Sequence, residues 1–151
     1  MKKLIIFLLI ATLSLTFSSC TLSHIEDTNG DNTSLCTLTE EDILGNNSFT
    51  QLLSSKSTWD NSLTYKANKM SGVNAIKKSL YAQGNALVIN STITLSQGNL
   101  RVVVVCDGKI ICDIPLGENQ VTTIENPNGS YDIKVAGESA GFEISLEYNI
   151  E

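Results

Sequence analysis

The chain of 151 residues has a formal charge of −6 and one histidine, His24. Its acids are concentrated in residues 20–61, whereas residues 62–151 are nearly balanced, with nine acids and seven bases. Nucleic acid is excluded as an expected partner, because phosphate binding needs a concentrated basic face. With a single histidine and no Cys-x-x-Cys pair, the composition also argues against a zinc site and a histidine-based catalytic group. We expect no metal and no other cofactor, with calcium held by carboxylates at turns as the alternative.

Residues 1–19 have the layout of a secretory signal peptide. Two lysines precede an apolar run over residues 4–13, which is too short for an ordinary membrane-spanning helix. The segment ends in the sequence FSSC, at Cys20. This ending resembles the lipobox of bacterial lipoproteins, which usually has leucine where Phe17 stands. The resemblance implies lipid attachment (palmitate) at Cys20, an anchor in the cell membrane and a location outside the cytoplasm. A plain signal peptide cut nearby is the alternative.

Residues 20–61 are predicted to be an acidic, polar tether, because they contain too few apolar residues to form a core of their own. Thr39 is a candidate helix cap followed by acids, so we allow for a short helix near residues 40–54. Trp59 is expected to pack against the domain rather than to stack on a ligand. The same packing is expected for the other large apolar residues of this segment, Phe49, Leu52 and Leu53.

From residue 62 onward, β-branched and alternating apolar residues are interrupted by Gly and Asn, a pattern typical of short strands. The predicted strands cover residues 63–67, 73–80 (where a helix is the alternative), 87–95, 100–106, 109–114, 121–125, 131–135 and 142–150. Because no long helix fits between them, we expect residues 62–151 to form an all-β domain. The predicted fold is an antiparallel β-sandwich of about seven or eight strands, with a small β-barrel as the alternative.

Asp107-Gly108 predicts a two-residue hairpin turn that places Cys106 opposite Lys109 and Cys112 opposite Val103. In that register the two cysteines point to opposite faces and do not meet. A three-residue turn, the alternative, would place both on one face but only diagonally, beyond easy disulfide reach. Cys106 and Cys112 are therefore expected to remain buried or half-buried thiols.

The segment Asn128–Ile133, with Gly137 and Gly141–Ile144, resembles the last strands of small, uncharacterised β-sandwich lipoproteins of low-GC Gram-positive bacteria. The resemblance covers roughly residues 72–151 and depends on a Gly-x-Tyr motif, spaced glycines and alternation. It implies a module that binds or displays rather than catalyses, without catalytic residues. Tyr131 follows a turn, and we expect it to fix a strand corner rather than to bind a ligand.

These features predict a membrane-anchored, non-enzymatic binding or display module whose partner is a surface polymer, glycan or protein. A small carboxylate-dependent hydrolase and a structural accessory subunit of an envelope complex are the alternatives. The hydrolase would use carboxylates at turns, namely Asp107, Asp113, Glu118, Glu125 and Asp132. A loose group of lysines is a weaker candidate for contact with anionic polymers or lipid headgroups, namely Lys66, Lys69, Lys77 and Lys78.

Overall fold

The computed structural model describes residues 20–22, 36–45 and 48–151, so the predicted signal peptide lies outside the described residues. These residues form one short helix and seven strands that pair only in antiparallel fashion, which confirms the all-β class. The elements are β1 (Cys20–Leu22), α1 (Glu40–Gly45), β2 (Phe49–Trp59), β3 (Ser62–Gln83), β4 (Ala86–Cys106), β5 (Lys109–Ile114), β6 (Gly117–Glu125) and β7 (Asn128–Ile150). None of the described residues belongs to a helix long and apolar enough to cross a membrane.

Three of the strands are longer than predicted, because β3, β4 and β7 contain 22, 21 and 23 residues. Each of them joins two predicted strands. The strands lie in the order β1, β6, β4, β7, β3, β2, with β5 beside the second half of β4. The predicted break between the strands 87–95 and 100–106 is wrong, since β4 continues through Gln97-Gly98-Asn99 with two shifts of register against β7.

A hydrogen bond within β3 shows that the long strands fold back. The Asn74 side-chain amide donates to the Tyr65 hydroxyl over 3.3 Å, although nine residues of straight strand would span about 30 Å. The pairing of β3 with β7 shifts in register between residues 67 and 72 of β3, and the pairing of β4 with β7 shifts between residues 95 and 99 of β4. Such shifts are typical of strands that pass from one layer to another. The result is an open, sandwich-like arrangement rather than the alternative barrel.

We call the two halves of this sheet the front layer and the back layer. The front layer contains residues 49–67, 86–95, 117–125 and 142–150, and the back layer contains residues 72–83, 100–106, 109–114 and 128–137. Their inner faces form one core, because residues of both layers belong to a single cluster of buried side chains. The alternating pattern of the sequence supplies these residues, as in Leu87 and Ile89 of the front layer and Val102 and Val104 of the back layer.

The outer face of the back layer is covered by residues 36–45. Ile43 of α1 is fully buried against Val73, Val103, Val105 and Ala136. A second apolar cluster therefore fixes the helix to the sheet.

Polar contacts hold both ends of α1. Thr39 and Asp42 form a reciprocal cap, in which the Asp42 amide donates to the Thr39 hydroxyl and the Thr39 amide donates to the Asp42 carboxylate. The buried Lys134 ammonium donates to the carbonyl oxygens of Ile43 and Leu44 over 2.9 and 3.0 Å. The predicted cap at Thr39 is thus confirmed.

The predicted domain boundary at residue 62 is wrong. Both α1 and β2 belong to the folded part, and β2 pairs with β3 from Phe49 to Trp59. The predicted short helix is present as α1, but its attachment to the sheet was not predicted, because α1 buries mainly one side chain. The helix does not extend to residue 54, since residues from Phe49 onward form β2, whose exposure along its length hides it from a search for apolar patterns.

The hairpin of β4 and β5 is nearly as predicted. Cys106 lies opposite Lys109, but a bulge beyond Val105 places Cys112 opposite Val104 rather than Val103. Because Val104 and Cys106 share a face, the prediction that the two cysteines point to opposite faces is wrong: Cys106 belongs to the core cluster, and Cys112 packs against it. Within residues 36–45 and 48–151, the cysteines form no disulfide, and Cys106 is buried whereas Cys36 and Cys112 are half-buried. Burial raises the pKa of the thiols of Cys36 and Cys106 above the ordinary value, which favours the protonated thiol.

Candidate functional site: the outer face of the front layer

The outer face of the front layer is a polar surface that crosses five strands. Residues directly opposite in antiparallel strands share a face. The register therefore aligns a first row of side chains, Trp59, Ser62, Glu147, Asn90 and Val121. A second row beside it contains Ser57, Thr64, Ser145 and Thr92. We call these two rows the polar face.

The polar face follows from strand alternation. In β3, β4 and β7, the residues on one side enter the core, as Leu63, Ile89 and Leu146 do. Their neighbours in sequence then point to the opposite side, where hydroxyl, amide and carboxylate groups remain in water. Most of the two rows is exposed, so the face is accessible to a ligand.

A cleft of about 410 Å³ lies at the β6 end of this face. The register between β4 and β6 shifts after Ser91, and Asn119 takes a left-handed conformation with φ of 54°. The Asn119 amide donates to the Thr92 hydroxyl over 3.4 Å, which holds the distorted strand beside β4. The cleft is lined by hydroxyl, amide and carboxylate side chains, among them Asn90, Thr92, Asn119, Gln120, Ser145 and Glu147.

Trp59 stands at the opposite end of the first row. The turn beside it is well fixed, because the Ser62 hydroxyl donates to the Trp59 carbonyl and the Tyr148 hydroxyl donates to the Asp60 carbonyl, both over 2.9 Å. The indole is nevertheless 76% exposed. Three strand spacings, about 14 Å, separate the backbones of Trp59 and Asn90. An aromatic ring and a polar cleft therefore lie on one open surface.

The prediction that Trp59 packs against the domain is wrong. The same holds for the other large apolar residues of β2, Phe49, Leu52 and Leu53, which are also exposed. All of them lie on an edge strand, every residue of which is exposed. A side chain on such a strand contacts water unless a ligand or a partner covers it.

The charge of the polar face is nearly balanced. Lys66 forms an ion pair with Glu143 over 3.0 Å beside the second row. Both side chains are largely exposed, so the pair contributes little to stability. The predicted group of four lysines is not brought together, because Lys66 is paired here, Lys69 lies opposite Leu52, and Lys77 and Lys78 belong to the back layer.

The five predicted carboxylates do not assemble a recognisable site. Asp113 accepts two hydrogen bonds from Arg101, of 2.6 and 3.1 Å, and this pairing raises the pKa of Arg101. Asp132 accepts the Ser79 amide over 2.9 Å, and Asp107 takes a left-handed conformation in the hairpin turn. In the part of the chain that the structure describes, no three His, Cys, Asp or Glu side chains are grouped as metal ligands. The hydrolase remains a prediction.

The remaining predicted residues are Tyr131 and Cys20. The buried Tyr131 hydroxyl accepts the Asn128 amide three residues earlier, over 3.3 Å, which confirms its role at a strand corner. Burial raises the pKa of Tyr131. The backbone of Cys20 lies at the start of β1, opposite Ile124. Lipid attachment there stays a prediction.

Comparison of the chain with protein-family models, with curated proteins and with solved structures found no match. The candidate site is therefore defined by the geometry and chemistry of this chain alone.

Proposed function

We propose that the protein is a non-enzymatic binding module, anchored outside the cytoplasm by lipid on Cys20, whose polar face binds a surface glycan. The position of Trp59 in one row with the Asn90 cleft is the observation that most supports this function. A sugar ring offers C–H groups, which suit an aromatic face, and hydroxyls, which suit amide and carboxylate partners. The polar face supplies both on one accessible surface.

The near-neutral charge of the face favours a neutral glycan over a strongly charged one. Lys66 and Glu143 lie beside the second row and balance each other, and within the two rows Glu147 is the one charged side chain. A carboxylate surrounded by hydroxyl and amide groups serves as an acceptor for sugar hydroxyls.

Affinity electrophoresis tests the glycan proposal. The full-length chain is run through gels in which chito-oligosaccharides, which are neutral, or peptidoglycan fragments, which carry carboxylates, are immobilised. We expect retardation by at least one of them, with loss of retardation in Trp59→Ala and in Asn90→Ala. Tyr81→Ala is the matched control, because Tyr81 is also a largely exposed aromatic residue (61%) but belongs to β3 in the back layer. Equal loss in Tyr81→Ala, or no retardation at all, would contradict the proposal.

The lipid anchor has its own test. We expect Cys20→Ser to shift the protein from the membrane fraction to the medium or to leave an unprocessed precursor. Mass spectrometry of the wild-type protein is expected to find acyl chains on Cys20 as the first residue. An unmodified Cys20, or a different first residue, would overturn this part of the proposal.

The apolar side chains of β2 favour a second function, that of a structural accessory subunit. Exposed Phe49, Leu52 and Leu53 lie on a strand at the end of the sheet order. Such an edge is a template for strand addition by a protein partner. If Leu52→Lys abolishes co-purification of a partner but leaves glycan retardation intact, both functions are present. If only co-purification is ever seen, the accessory function replaces glycan binding.

A further inference from the structure

Two lysines project toward the space between the layers at the β2 side of the molecule. Lys56 lies opposite Tyr65, which points into the core, so Lys56 projects from the inner side of β2. Lys77 lies opposite Ile133, a core residue of the back layer. Its ammonium lies 5.1 Å from the centre of the Tyr148 ring, which belongs to the front layer. Lys77 thus reaches across the gap between the layers.

Lys78 follows Lys77 in β3 and adds a third positive charge. Partial burial and the charges of Lys77 and Lys78 together lower the pKa of Lys56. The ion pairs among the described residues involve Lys66 and Arg101 and none of these three lysines. The charges of Lys77 and Lys78 therefore repel that of Lys56, and no ion pair of the described residues neutralises them.

This grouping stands out because the chain is acidic. Residues 62–151 contain seven bases against nine acids, yet two of those bases are close enough to Lys56 for their charges to contribute to its lowered pKa. The cation–π contact with Tyr148 holds Lys77 toward the gap rather than toward bulk water. Ser54 and Thr58 lie on the same side of β2 as Lys56, since they oppose the core residues Ala67 and Leu63. Their exposed hydroxyls supply additional donors.

We propose that Lys56, Lys77 and Lys78 form a binding site for phosphate groups, which we call the lysine cleft. A phosphate placed between the ammonium groups removes their repulsion and accepts charge-assisted hydrogen bonds from them. The open edge suits a phosphate on a polymer or on a lipid headgroup. The lysine cleft lies on the opposite side of β2 from Trp59, so the proposal does not depend on glycan binding by the polar face.

The test measures binding of the full-length chain to two probes at low ionic strength. One probe is inorganic polyphosphate, and the other is a vesicle of phosphatidylglycerol, with phosphatidylcholine vesicles as the reference. We expect Lys56→Gln and Lys77→Gln each to weaken binding by about tenfold. Lys66→Gln is the matched control, because it removes the same charge from the outer side of the front layer and should leave the affinity unchanged. Added salt should weaken binding of the wild type.

Binding of polyphosphate alone would identify a soluble or wall-bound polymer as the source of phosphate, and binding of vesicles alone would identify a lipid headgroup. Either result supports the proposed site if the measured binding is weakened by Lys56→Gln and by Lys77→Gln. A melting experiment without phosphate gives a second readout. Lys56→Gln should raise the melting temperature by removing repulsion, whereas Lys66→Gln should not. Equal weakening by Lys66→Gln, or no binding to either probe, would overturn the proposal.

Discussion

Thr122 is fully buried on β6, and its hydroxyl has no hydrogen-bond partner among the described residues. It lies opposite Ile89 on the core side of the sheet. A buried hydroxyl without a partner costs free energy, whereas an apolar group of the same shape does not. We expect Thr122→Val to increase the free energy of unfolding by about 1 kcal/mol, as measured by denaturant titration.

The control for this substitution is Thr64→Val on the polar face. Thr64 is exposed, so the change should alter the free energy of unfolding by less than about 0.5 kcal/mol. Destabilisation by Thr122→Val would show that the hydroxyl has a partner that the described residues do not include.

Glu138 of β7 holds residues 36–38 against the sheet through hydrogen bonds. Its carboxylate accepts hydrogen bonds from the Thr37 amide at 2.9 Å, from the Thr37 hydroxyl and from the Asn99 side chain at 3.0 Å. These bonds lower the pKa of Glu138. Because the folded-state pKa lies below the unfolded one, the stabilisation is present above the ordinary carboxyl pKa and disappears as the pH falls through the lowered value.

We therefore expect residues 36–38 to detach in acid before the core unfolds. Hydrogen exchange of the Thr37 amide should accelerate, relative to amides of the core strands, as the pH falls below the ordinary glutamate range. In Glu138→Gln this extra acid dependence should be absent. An acceleration of equal size in the variant would assign the effect to another acid.

Single residues were predicted well where their role is local. The cap at Thr39, the corner at Tyr131 and the pairing of Cys106 with Lys109 each depend on a few neighbours in sequence. Trp59 was predicted wrongly, because its exposure depends on β2 being the end strand of the sheet. Sequence spacing alone does not reveal which strand lies at an edge.

At the level of elements, glycine at position 98 allows β4 to bend. Gly98 has φ of 71°, and a Cβ there would overlap the carbonyl oxygens of Glu138 and Ser139 on β7. The local sequence Gln97-Gly98-Asn99 has the composition of a turn, and it lies in the predicted break between the strands 87–95 and 100–106. A bulge within a long strand and a turn between two strands both need left-handed residues, so composition cannot separate them.

We expect Gly98→Ala to lower the free energy of unfolding by about 3 kcal/mol or more, through steric overlap and left-handed strain. Gly108→Ala is a matched control, because Gly108 has φ of 69° but open space around its Cα. Its cost should be limited to the strain, about 1 kcal/mol. Denaturant titrations of the two variants measure the loss in the free energy of unfolding. Equal losses would contradict the claim that the backbone of β7 lies too close to Gly98 for a Cβ.

On the scale of the whole molecule, the sequence predicted the fold class and the strands that supply the core, such as residues 87–95 and 142–150. It did not predict the candidate site. The polar face forms only when five strands are aligned in register, namely β2, β3, β7, β4 and β6. The lysine cleft forms only when β3 folds back from the front layer to the back layer. Both features depend on contacts between residues that are far apart in the chain.

The two proposed sites occupy opposite sides of β2. Trp59 belongs to the outer surface, and Lys56, three residues earlier, belongs to the inner one. A single edge strand therefore contributes one side chain to each site. Substitutions at Trp59 and Lys56 should act on separate ligands.

The central claim is that the polar face binds a glycan, and the fluorescence of Trp59 tests it most directly. Trp59 is the only tryptophan of the chain, so the emission reports on this face alone. Titration of the full-length chain with soluble peptidoglycan fragments or chito-oligosaccharides should shift the emission to shorter wavelength in a saturable manner, as the exposed indole leaves water. In Asn90→Ala the same shift should require a higher glycan concentration. An emission spectrum that remains that of an exposed indole at saturating concentrations of glycan would contradict the claim.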